Sequence, residues 1–170
     1  MSDIVAHLQE DLRGLQQLLT KLVNAPQTAM EDDRRLLEEK SIYLENTYTL
    51  EELQAEGLEE AQIINCLEAV GIILGYSDLV KGDPAAAIDH FMMALHYNLY
   101  SEDALASLLD VFMENMEEEE RGQKVYELLS QMYDFEKEKD REMVMECALE
   151  AGFIQLCNEI TIQEAENQKN

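Results

Sequence analysis

Proline is almost absent from this chain: Pro26 and Pro84 are the only two in 170 residues. A chain with so few helix breakers, rich in Leu, Glu, Ala, Met and Gln, favours helix by intrinsic propensity. Period-two alternation is not sustained anywhere, so no half-buried sheet is expected. Cysteine is limited to Cys66, Cys147 and Cys157, an odd number without a Cys-x-x-Cys pair. That excludes a disulfide framework and points to free thiols in a reducing, cytoplasmic setting, with Cys66 in an apolar run as a core residue. Histidine occurs only at His7, His90 and His96, and a spacing of six keeps the last two off one helical face. Glu-x-x-His and His-x3-His are both lacking, as are a phosphate-cradling glycine loop, Gly-x-Ser-x-Gly and a supported Cys–His pair. The sequence therefore predicts no metal, no cofactor and no catalytic centre. Basic residues are few, 12 against 37 acidic ones, for a net charge of -25. Such a field repels nucleic-acid phosphates and anionic lipid and attracts basic protein segments, and it also keeps a protein in solution. The most apolar stretch, Ile63 to Val80, is interrupted by Asn65, Glu68 and Asp78. It reads as a buried helix, short of the roughly 20 mostly apolar residues a membrane crossing needs. The opening "MSDIVAHLQEDLRG" has no basic region ahead of an apolar run and does not read as a secretory signal.

Helical signals follow in order. Ser2 and Asp3 can cap a first helix. Its Val5, Leu8, Leu12, Leu15, Leu19 and Leu22 recur in alternating steps of three and four, a narrow apolar seam that ends at Asn24-Ala25-Pro26. The seam fits an ordinary packing helix or a dimerisation arm. A charged helix starts at Thr28, with Met30, Leu37 and Leu44 on one face. Thr49 and Glu52 form a capping-box pattern, and Gly57 is a break. Leu58 to Lys81 reads as one long helix, Gly82-Asp83-Pro84 as a tight turn, and Pro84 to Tyr97 as the next helix. Ser101 caps a helix to about Met116. Further helices are expected over 117–135 and 139–160, with 161–170 a polar, frayed tail. "MEDD" and "EEEE" read as solvated helix ends, the alternative being loose divalent-cation binding. Met92, Met93, Met113, Met116, Met132, Met143 and Met145 gather in the C-terminal half and suit either a loosely specified core or an adaptable binding surface.

One stretch carries a more specific pattern. In "GYSDLVKGDPAAAIDHFMMAL", Leu74-Gly75 is followed by Gly82 at the interhelix turn and then by Ala87, Phe91 and Ala94. This ungapped Leu-Gly and Ala-x3-Phe-x2-Ala series resembles a tetratricopeptide repeat, a helical hairpin of about 34 residues, over Glu68 to Ser101. The resemblance implies that Gly75 and Ala87 let two helices cross closely. Phe91 would fill the space beside them, and Ala94 would leave room for the following hairpin. Gly71, Asp78 and Leu99 depart from the family's Trp, aromatic and Pro. Asp78 in particular implies shallower packing of the hairpin at that point. A weaker second copy starts at Glu102, with Leu108, Leu109 and Phe112, then Gly122, Tyr126 and Leu129. A third hairpin half falls near Lys139 to Ile160, with small residues Ala148, Ala151 and Gly152.

The fold this implies is all-α: stacked antiparallel helical hairpins, an α-solenoid, preceded by an N-terminal helix. Its divisions would be 1–26, the amphipathic helix; 27–160, the repeat domain; and 161–170, the tail. In the family, the first helix of each hairpin lines a concave face that holds a peptide. Here that face would present Ile72, Tyr76 and Leu79, then Ala106, Asp110, Met113 and Glu114. It has no basic side chain to clamp a C-terminal carboxylate, so the partner expected is a basic or amphipathic protein segment. The function implied is a non-catalytic interaction module: an adaptor, scaffold or chaperone-like protein. Two alternatives remain open. One is an acidic nucleic-acid mimic that occupies a basic groove. The other is a self-associating helical protein, a homodimer through the N-terminal seam.

Overall fold

A computed structural model describes residues 3–24 and 31–170. Ser2, Ala25, Pro26, Thr28 and Met30, invoked above as cap, breaks and face residue, lie outside the described residues. Among the described residues the chain is helical throughout and has no strand, as the propensities required. Nine helices follow one another among the described residues: α1 (Asp3–Asn24), α2 (Glu31–Thr47), α3 (Leu50–Ala55), α4 (Glu60–Lys81), α5 (Pro84–Tyr97), α6 (Glu102–Asn115), α7 (Glu118–Leu129), α8 (Glu138–Glu150) and α9 (Ile154–Asn167). They gather into two compact units, Met1–Asn98 and Leu99–Asn170. The division falls inside the stretch read as one repeat domain, and α1 belongs to the first unit.

In the first unit the seam of α1 is turned inward. Leu8, Leu15, Leu18, Leu19 and Leu22 are buried against α4 and α2, and Val5 and Leu12 are part-buried beside them. Each such leucine contributes about 1.5–3 kcal/mol by leaving water. Tyr48 ties the same face, its hydroxyl donating to Asp11 Oδ2 at 2.5 Å. Burial and that carboxylate push the Tyr48 phenol above its ordinary range. The expected cap of α3 is present: Thr49 Oγ1 accepts from the Glu52 N–H at 3.2 Å. Gly57 breaks the chain at φ 73°, and α4 then starts on Glu59, whose N–H donates to Gln62 Oε1. Contrary to the sequence reading, α4 is long and apolar enough for a membrane crossing, because the helix extends beyond Ile63–Val80 at both ends; half of that stretch is buried inside the fold. Gly82 ends α4 in the left-handed conformation at φ 81°; Asp83 Oδ1 then caps α5 by accepting from the Ala86 N–H at 3.0 Å.

The α4–α5 hairpin is the closest-packed pair in the first unit. A Cβ on Gly75 would lie 2.5 Å from the Phe91 ring, and one on Gly71 would lie 3.0 Å from both Ala94 Cβ and the His90 carbonyl. Ala87, Phe91 and Ala94 are fully buried. The close crossing is thus present, with two corrections. Gly71, a departure from the family pattern, is a second notch, and Ala94 packs within its own hairpin upon it. Asp78 does not loosen the hairpin: it is 4% exposed and held by partners from both helices.

The second unit departs further from the sequence reading. α8 and α9 were expected as one helix over 139–160. Gly152, at φ 71°, stops α8 instead, and its neighbour Phe153 is fully buried between the two. α7 ends at Leu129 rather than near Phe135. Gly122, expected against α6, packs on α9: a Cβ there would meet the Gln155 carbonyl at 2.8 Å. The tail is not frayed, because α9 runs to Asn167 and Arg141 Nε pairs with Glu164 Oε1 at 3.4 Å. The turn after α7 is fixed by Asp140, which accepts from the Tyr100 hydroxyl at 2.8 Å and the Asp134 N–H at 2.9 Å. Burial alone would raise the Asp140 carboxyl; those two donors and Lys137 and Lys139 hold it below the usual carboxylate range. All three cysteines are buried and free, Cys66 in the first unit and Cys147 and Cys157 in the second.

Candidate functional site

The seven residues expected on one concave face divide between the units, three in the first and four in the second. In the first, Ile72, Tyr76 and Leu79 follow one stripe of α4 at i, i+4 and i+7. Tyr76 and Leu79 line a groove of about 440 Å³ with Leu19, Val23 and Val80. Ile72 is part-buried and does not line it. Val23 is 71% exposed and Tyr76 41%, so the mouth of the groove is apolar and open. Its polar edge turns away from a ligand: Thr20 Oγ1 donates to the Gln16 carbonyl, and Asn24 Nδ2 donates to the Thr20 carbonyl. Tyr76 owes its position to its neighbour. Gly75 has no side chain, so the Phe91 ring reaches α4, and Tyr76 meets it edge-on at 5.5 Å between centroids.

In the second unit, Ala106, Asp110, Met113 and Glu114 share a stripe of α6. Asp110 and Glu114 are exposed, Ala106 and Met113 part-buried. Partial burial and the neighbouring Glu114 raise the Asp110 carboxyl. Arg121 latches this stripe from below: Nη1 donates to the Met113 carbonyl at 2.9 Å, and Nε and Nη2 donate to Gln155 Oε1. The guanidinium also sits 5.5 Å over the Phe153 ring. Its position was not legible in sequence, because the partners come from α6 and from the start of α9, over 30 residues further on. The seven methionines of the C-terminal half are all part-buried, neither sealed in the core nor free at the surface.

A charged cluster inside the first unit also escaped the sequence reading. His90 Nδ1 lies 2.5 Å from Asp78 Oδ2, Lys81 Nζ lies 3.2 Å from Asp78 Oδ1, and α2 adds Glu38 to Lys81 at 3.4 Å and Glu45 to His90 Nε2 at 3.6 Å. The signal was present in the turn: residues about equally far from Gly82-Asp83-Pro84 face each other across the hairpin, which pairs Asp78 with His90. The hydrogen bond to Asp78 raises the His90 imidazolium, burial opposes it, and the charges of Asp78 and Glu45 add to the rise. Ser41, between the two glutamates on α2, is buried, and its hydroxyl has no hydrogen-bond partner among the described residues. No group of three metal-ligating side chains is assembled among the described residues. Comparison with family models, curated proteins and solved structures yields no match to this chain.

Proposed function

We propose that the chain is a tetratricopeptide-like interaction module that binds a basic or amphipathic protein segment without catalysis. The observation that carries this reading is the mounting of Tyr76. A rigid, glycine-notched hairpin holds this ring, 41% exposed, over an apolar groove on a chain of net charge -25. Apolar contact supplies affinity there, and the surrounding negative field selects a cationic partner and speeds its encounter. The exposed Asp110 and Glu114 on α6 extend the same preference. As an adaptor or scaffold, the module would need no cofactor and would work in the cytoplasm.

The test is affinity capture with the full chain as bait. Tyr76→Ala and Met113→Ala should each reduce recovery of captured proteins about tenfold while circular dichroism stays unchanged. If neither substitution alters the set of captured proteins, the concave-face reading fails. The net charge favours one rival, a nucleic-acid mimic. Binding that collapses between low and moderate salt would support it, since a partner held by ion pairs is released as the charges are screened. Dimerisation through the α1 seam is the other rival, and its leucines are already engaged within the first unit. A concentration-dependent mass of the full chain by light scattering would favour that rival.

A further inference from the structure

We infer that the face between α8 and α9 is a docking groove for a cationic amphipathic helix. On α8, Arg141, Met145 and Leu149 form one row at one-turn spacing, and Glu142, Glu146 and Glu150 form the next. Together with Glu164 of α9 they line an open groove of about 530 Å³. Its apolar floor is Met145 and Leu149, the latter 58% exposed. Arg141 is already paired with Glu164, whereas Glu142, Glu146 and Glu150 make no ion pair with any described residue.

This arrangement is unfavourable in the free chain on two counts. Like charges at i, i+4 repel along a helix. Carboxylates in the last turn also oppose the negative end of the helix dipole, and α8 has no basic residue there to offset them. Both penalties are relieved by cations supplied from outside. The glutamate ladder repeats about every 6 Å, the spacing of Lys or Arg side chains four apart on a helix. The Met145–Leu149 row is a ridge of the kind helices pack upon, and methionine adapts to imperfect partners. A second copy of this chain would bring carboxylates against carboxylates, so the occupant is a cationic amphipathic helix, with an apolar face flanked by Lys or Arg.

The inference shares with the proposed function only a preference for cationic partners, since Tyr76 and its groove lie in the other compact unit. It is tested on the full chain by titrating a fluorescent Leu/Lys amphipathic helix of about 18 residues. Leu149→Gln should weaken binding about tenfold. The triple change Glu142→Gln, Glu146→Gln, Glu150→Gln should do the same and should raise the urea midpoint of the free chain. Replacing the exposed Glu51, Glu52 and Glu56 by Gln should leave binding within about twofold. Equal weakening by the control triple reduces the effect to general acidity and overturns the inference. So does an unaffected Leu149→Gln, or a dimer of the free chain that Leu149→Gln dissolves. Loss of captured proteins on Tyr76→Ala, with none on Leu149→Gln, would leave the proposed function standing and remove the α8–α9 site.

Discussion

At Gly75 a single hydrogen atom decides how closely two helices approach. A methyl group there would sit 2.5 Å from the Phe91 ring, which is fully buried and has nowhere to turn. Gly75→Ala should therefore lower the unfolding free energy by about 1–2 kcal/mol, the overpacking cost less the gain in helix propensity. Gly14, on α1, has nothing within 4 Å of its absent Cβ. Gly14→Ala should raise stability by about 0.5–1 kcal/mol, so the two substitutions should move the urea midpoint in opposite directions. His90 gives a pH signature. Asp78 and Glu45 raise its folded pKa, with Lys81 and Glu38 completing the surrounding charges. The stabilisation it brings is full below the unfolded value of about 6.5 and is lost as pH rises through the folded value. Urea midpoints should fall upward from near neutral pH in the native chain, and His90→Gln should flatten that fall. A native midpoint that stays level across this range would remove the imidazolium from the account.

At the scale of elements, periodicity and turn chemistry were readable wherever the decisive neighbour is close in sequence. The seam of α1, the Thr49 and Ser101 caps, and the Gly82-Asp83-Pro84 turn depend on residues within a turn or two, and all are found. The Gly75–Phe91 contact was legible because the hairpin loop is short. What failed depended on distant partners. The break at Gly152 was hidden inside an apolar pattern that continues on both sides, because Phe153 is needed in the core. Gly122 was matched to α6 by repeat register, but its small size serves α9, over 30 residues away. Of the candidate site, the α4 residues came from the repeat resemblance, whereas the part α1 plays in that groove lay outside what the resemblance covers. The seam of α1 also fits a dimerisation arm, and packing inside the first unit makes a definite demand. Leu15 is 1% exposed, so Leu15→Ala should cost about 2–5 kcal/mol in thermal or urea unfolding, independent of protein concentration. A loss that grows on dilution would instead place the seam at an interface between copies.

Across the whole molecule, charge is the dominant long-range term. A net of -25 over 170 residues repels itself, and the described ion pairs neutralise few of the 37 acids. Raising salt from about 0.01 M to 0.15 M shortens the screening length from about 30 Å to 8 Å. The melting temperature should rise over that interval, most steeply at its low end, and a flat response would show that the carboxylates are spaced too far apart to strain the fold. The placement of the three sulfurs has a consequence of its own. Cys66 is sealed in one compact unit and Cys147 and Cys157 in the other, and burial raises all three thiols, Cys147 to about 11. An alkylating reagent at neutral pH can reach them only when the surrounding helices part. The native chain thus carries its own opening clocks, one in the first body and two in the second. Peptide-resolved labelling rates would time how each body breathes without any engineered probe.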